Sequence, residues 1–242
     1  MTTPSDDISA SGFGPIITIE PTAAHTHTAV VLHGRGSTGE EFSEEFMSLH
    51  LLSGKNLADE FPSWRWVFPT SKELWSATFQ EDIPAWFDVY SLTHMMQQSE
   101  LQTEGIRASV RHVEEVLENE TERLGGRAEK LILRGISQGA ATGLFVLLRY
   151  MQAGKTLGGF LGASTWLPFA DTIEQDASTQ QPADTPKAIP AKQDAAPSEF
   201  VKEMLPSMDR WPEHSQAMKA FLGHGTDAVS YTHLTLPTNR EV

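Results

Sequence analysis

Short apolar runs alternate with longer stretches of mixed character along this 242-residue chain, and the alternation predicts strands separated by helices. Residues 16–21, "IITIEP", predict a short strand. Residues 28–39, "TAVVLHGRGSTG", run from a strand into a Gly-rich turn. The unbroken apolar stretch at 29–32 is that of a strand covered on both faces. Residues 40–53 predict a helix with acids in its first turn. Residues 64–71 predict a strand stopped by Pro69, and 72–100 read as loop-rich and aromatic. Over 104–125, Ile106, Val110, Val113 and Leu117 share one face of a helix that Gly125 and Gly126 end. His112 is expected on the solvated side of that helix. Residues 130–151 read as strand, sharp turn and apolar helix, 157–168 as strand and exit loop, and 218–227 as strand and polar corner.

The pattern fails over 171–198, where Pro182, Pro186, Pro190 and Pro197 stand among Ala, Gln, Thr, Ser and Asp. Such a composition cannot bury a core and predicts a disordered insertion. Residues 1–14, polar and Gly-containing, predict a flexible arm. The expectation is one domain over 15–228, of α/β class, with a mostly parallel sheet and helices on both faces.

Composition then narrows the function. A formal net charge of −14 argues against binding nucleic acid, which needs a basic face, and against an anionic membrane surface. The absence of cysteine excludes disulfides, thiolate metal sites and cysteine catalysis. The start, "MTTPSDDISASGFG", lacks the basic and apolar regions of a secretory signal, and no apolar run approaches the roughly 20 residues of a membrane span. A soluble, cytoplasmic protein without stable membrane insertion is expected. His25 and His27 form an H-x-H pair without an evident third ligand, so no metal is expected.

Three glycine-containing stretches carry candidate chemistry. Gly135-Ile136-Ser137-Gln138-Gly139 is G-x-S-x-G, between a short apolar strand and a helix opened by Ala140 and Ala141. This is the strand–turn–helix setting of a nucleophile elbow, where side chains flanking the serine would strike the neighbouring strand and helix. Ser137 is the candidate nucleophile. His33-Gly34-Arg35-Gly36-Ser37 follows the first long strand. An oxyanion hole needs two converging backbone N–H groups, and Gln138 and Arg35 are the candidates. His33 is expected to tie down the loop rather than act as base. The same stretch could cradle a phosphate, but the acidic ribose partner is not clearly placed and no Walker lysine follows. His224-Gly225-Thr226-Asp227 places a carboxylate at the exit of a later strand, where the triad acid belongs. An ordinary turn aspartate would also fit there, and only its combination with Ser137 raises Asp227 above that.

"LHGRGSTG", "FPTS", "PAWFDVYSL", "LRGISQGAATGLFVLL", "GASTWLP" and "FLGHGTD" occur in the order found in the phospholipase/carboxylesterase family of α/β hydrolases. The chain resembles that family over roughly 28–170 and 218–227, and fungal acyl-protein thioesterases in particular. The resemblance implies an α/β-hydrolase fold with Ser137 as nucleophile, Asp227 as acid, and Arg35 and Gln138 as oxyanion donors. It implies hydrolysis of acylated proteins, lysophospholipids or small esters, without metal or cofactor, in the cytosol. Trp75, Trp86, Phe87 and Trp166 could line an acyl groove, although packing of loops over the sheet explains any one of them equally.

The chain departs from the family at Ile136, Arg35 and Ala140, and Arg35 brings a charge to the pocket rim. The family's catalytic histidine follows a further strand beyond the acid. After Asp227 the sequence holds only "AVSYTHLTLPTNREV", in which "VSYTHLTLPT" resembles a translated sequencing-library adaptor. Residues 229–242 are therefore expected to be a non-native tail, with the C-terminal strand and helix missing. His233 is the one histidine after Asp227, and a parallel crossover needs roughly a dozen residues, so the chain is expected to be inactive. Two rival expectations are a small-ester carboxylesterase without protein substrates and a binding protein on the same scaffold.

Overall fold

The computed structural model describes residues 3–4, 12–77, 79–89, 99–178, 195–206 and 219–223. In chain order these hold β1 (Thr3–Pro4), β2 (Ile16–Ile19), β3 (His27–Leu32), α1 (Gly39–Ser48), α2 (Leu57–Glu60), β4 (Trp64–Pro69), β5 (Lys72–Ser76) and β6 (Glu81–Ala85). There follow α3 (Gln102–Arg123), β7 (Leu131–Ile136), α4 (Ser137–Gln152), β8 (Gly159–Ala163), α5 (Ala170–Ser178), α6 (Ala195–Met204) and β9 (Ala220–Gly223).

Seven strands form one sheet in the order β1-β2-β4-β3-β7-β8-β9. From β4 to β9 the neighbours are parallel, while β1 and β2 are antiparallel additions at one side. The continuous apolar run of β3 is explained by its neighbours. Val30 and Leu32 join a core with Val67, Leu131, Leu133 and residues of α3 and α4, whereas Ala29 and Val31 pack with Trp66, Phe68 and Phe46 of α1. A strand buried on both faces has no polar alternation to show.

The helices follow local chemistry. Thr38 caps α1 by accepting from Glu41 N (3.1 Å), and Thr38 N donates to the Glu41 side chain (3.2 Å), a reciprocal capping box. The helix expected over 40–53 stops at Ser48. Beyond it the backbone closes a turn in which Leu51 N donates to Lys55 O and Gly54 adopts φ +79°, which no continuing helix allows. In α3 the four periodic residues Ile106, Val110, Val113 and Leu117 are all buried, and Gly125 and Gly126 end the helix with positive φ.

Three expectations need correction. His112 is not a surface residue: it is 9% exposed and stacks flat on Phe13 at 4.0 Å, because the approach to β2 covers that side of α3. The stretch expected to be loop-rich over 72–100 begins with an antiparallel hairpin, β5 with β6. Pro84 is accommodated in β6 because a two-stranded ribbon has an outer edge where no ladder N–H is needed. Finally, the two ends of the 171–198 segment expected to be a disordered insertion are helical, α5 running to Ser178 and α6 beginning at Ala195, with Phe200 and Val201 of α6 buried just beyond it; residues 179–194 lie outside the described ones. No described helix is long and apolar enough to cross a membrane.

Candidate active site

Open parallel sheets gather ligand-binding loops at the carboxyl ends of their strands, and the first two glycine-containing motifs leave β3 and β7 at that edge. Ser137 is the junction between β7 and α4, half-buried, with φ +52°. A non-glycine residue in the left-handed region is strained and persists only where its surroundings hold it. The surroundings here are steric. A β-carbon on Gly135 would sit 2.6 Å from Ala140 N, and one on Gly139 would sit 2.3 Å from His33 O. Both flanking positions therefore require glycine, one against its own helix and one against β3. No side chain caps α4 and no acid stands in its first turn, so the donors and partial positive charge of that helix end face the site unneutralised.

The loop after β3 lies against this turn. A β-carbon on Gly34 would be 3.7 Å from Ser137 Cβ, so the loop that carries Arg35 abuts the serine. His33 anchors the loop: its Nδ1 donates to Gly34 O (2.7 Å) and its Nε2 accepts from Ser71 N (3.0 Å). The second bond fixes the tautomer, since a ring nitrogen that accepts carries no proton. Burial holds the His33 pKa at about 4, against a weaker upward pull from the Gly34 carbonyl and Glu41. His33 is thus a neutral structural residue with both nitrogens engaged.

The side chain of Gln138 supplies a feature that the motif alone did not reveal. Its Oε1 accepts from Trp86 N (2.9 Å) and its Nε2 donates to Phe87 O (2.6 Å). Trp86 Nε1 in turn donates to His33 O (2.9 Å), and Ser109 Oγ donates to Trp86 O (2.5 Å). Gly105 of α3 has no room for a β-carbon against Phe87 Cα (2.7 Å). The backbone at Trp86 and Phe87 is therefore clamped between Gln138, His33 and α3. Of the four aromatics considered for a groove, Trp86, Phe87 and Trp166 are buried in packing and Trp75 is exposed on the hairpin. Arg35 Nη2 donates to Ser76 Oγ (3.2 Å). Burial lowers the Arg35 pKa and raises that of Asp88, each opposed by the charge of the other.

A family model described as phospholipase/carboxylesterase matches residues 15–194. The chain belongs to that family. Among phospholipase/carboxylesterase relatives, acyl-protein thioesterase 1 of Schizosaccharomyces pombe is 32% identical over 156 residues, covering 64% of this chain and 62% of its own length. Acyl-protein thioesterase 1 of Cryptococcus neoformans is 28% identical over 158 residues, covering 65% and 61%. The match thus spans about three fifths of these relatives. The crystal structure of Zea mays acyl-protein thioesterase 2 covers 93% of both chains with a TM-score of 0.54 at 23% identity, a likeness in the α/β-hydrolase fold.

The structure brings Ser137, Gln138 and Arg35 together. Asp227 and His233 lie outside the described residues, as does the remainder of the final motif. His25 and His27 bond to the hydroxyls of Thr28 and Thr26 (both 2.9 Å).

Proposed function

We propose that the chain is a serine hydrolase that cleaves acyl thioesters or carboxylic esters through an acyl-enzyme. The observation that carries this reading is Ser137 held at φ +52° between two obligatory glycines, at the uncapped start of α4. Ser137 Oγ attacks the acyl carbonyl, and a histidine base takes its proton and returns it to the leaving thiol or alcohol. The N–H groups of Gln138 and Arg35 receive the oxyanion. Water then repeats the sequence in reverse roles and releases the acid. Asp227 orients the base in this scheme.

The relatives' names favour acylated proteins as substrates, and the family description also admits phospholipids and carboxylic esters. Among the described histidines, His33 has both nitrogens engaged and His112 is buried under Phe13, so neither serves as base. A cytosolic location belongs to the same reading.

Hydrolysis of thioesters and oxygen esters of increasing acyl length, measured for the native residue and for Ser137→Ala, tests the proposal. The expected result is turnover of thioesters that disappears in the alanine variant. Preference for short oxygen esters alone would favour the small-ester carboxylesterase, and hydrolysis retained by Ser137→Ala would refute the assignment.

A further inference from the structure

The β5–β6 hairpin forms a sheet separate from the main one, yet the hairpin and the two residues that follow it bond to both candidate oxyanion donors. On one side Arg35 Nη2 donates to Ser76 Oγ (3.2 Å), and the next residue, Gly36, donates its backbone N–H to Pro84 O (2.8 Å). On the other side, the chain leaving β6 is held by Gln138 through Trp86 N and Phe87 O. The hairpin thus spans from the loop after β3 to the first turn of α4, the two segments whose N–H groups have to converge on one point.

Ser76 is the residue through which the hairpin holds the arginine. It is 1% exposed, and its hydroxyl oxygen also accepts from Phe79 N (3.3 Å), which closes the hairpin turn. Arg35 is otherwise sparsely held: its Nε is buried without a partner, and among the described residues no carboxylate lies within ion-pair distance of it. The loop backbone is held on either side of Arg35, at Gly34 O by His33 (2.7 Å) and at Gly36 N by Pro84 O (2.8 Å), and the Ser76 contact adds a hold on the residue between them.

We propose that Ser76 is a positioning residue for the oxyanion hole: by anchoring the Arg35 side chain to the hairpin it fixes the direction of the Arg35 backbone N–H toward Ser137. The inference rests on the serine-hydrolase reading above. It also gives the arginine side chain a task at a position where only its backbone N–H would take part in the reaction. A donor of this kind contributes only where it meets the developing charge at hydrogen-bond distance, so slackening its loop lowers the rate of the chemical step rather than the binding of the acyl group.

The test uses phosphonylation by a fluorophosphonate, in which Ser137 Oγ displaces fluoride from phosphorus and the P–O oxygen occupies the oxyanion position. Limiting rate and half-saturating concentration are measured for the full chain and for Ser76→Ala, Arg35→Gln and the double variant. Each single change should lower the limiting rate about 10- to 100-fold with little change in half-saturation. The double variant should be no slower than the slower single, because both break one contact. Ser76→Thr, which keeps the hydroxyl, should recover most of the rate. Arg35→Gln leaves the bond from Phe79 N intact, so it carries the test even where Ser76→Ala lowers the melting temperature. Wild-type limiting rates in Arg35→Gln, or losses that multiply in the double variant, would overturn the proposal. Labelling that survives Ser137→Ala would instead show that the serine-hydrolase reading itself had failed.

Discussion

Two histidines, His33 and His112, are buried in neutral form, and both pKa values fall to about 4 from 6.5. Burial is the main cause for each; Lys72 adds to it for His112. Between pH 6.5 and 4 the unfolded chain therefore holds protons at these rings that the native protein does not. Stability rises with pH wherever the unfolded state binds more protons. The contribution of the two rings is complete above about pH 6.5 and is lost as the pH falls toward about 4. Replacing His112 with Phe keeps a ring to stack on Phe13 and removes one of the two groups. The slope of unfolding free energy against pH in that window should fall by about one proton, roughly 1.4 kcal/mol per pH unit. Denaturant titrations at several pH values measure it, and an unchanged slope would contradict the assignment. At this scale the sequence was informative where the constraint is local. Ser137 and its glycines could be read because G-x-S-x-G is a contiguous pattern flanked by its own strand and helix, although the crowding that demands Gly139 comes from His33 O. His112 could not, because Phe13, which covers it, is distant in sequence and carries no periodic signal.

Periodicity revealed the elements that bury one clear face or two. The strands β2, β3, β4, β7 and β8 and the long helix α3 were legible for that reason, whereas β9 was read from its short apolar run although Phe221 is 67% exposed. The β5–β6 hairpin was not, because Trp75 is exposed and Pro84 breaks the strand signal. A helix was equally hidden in the proline-rich stretch. In α6, Phe200 is 3% exposed and meets Phe145 and Phe169 at ring distances of 6.0 and 5.1 Å. Arg107 of α3 donates to both oxygens of Glu203 (2.9 and 2.7 Å) and so ties α6 to the core helix. Apolar residues too few to mark a helix by composition still anchor one when they all face inward. Phe200→Ala should consequently cost about 3–5 kcal/mol of stability, the usual loss for a buried phenylalanine. A thermal or denaturant midpoint near wild type would show instead that α6 is dispensable, as a disordered insertion would be.

For the whole molecule, the parallel sheet turns two separated motifs into neighbours, because the adjacent strands β3 and β7 deliver their loops to one edge. Sequence order alone could not show that Gly34 abuts Ser137, since 103 positions separate them (137 − 34). Strand pairing between β3 and β7, in register from Thr28 with Leu131 to Leu32 with Gly135, is what closes that gap. The central claim is that this edge activates one serine, and intact-mass analysis of the full chain after exposure to a fluorophosphonate tests it most directly. The account predicts a single adduct per chain, mapped by peptide analysis to Ser137 and absent from Ser137→Ala. An adduct on another residue, or one that persists in the alanine variant, would contradict it.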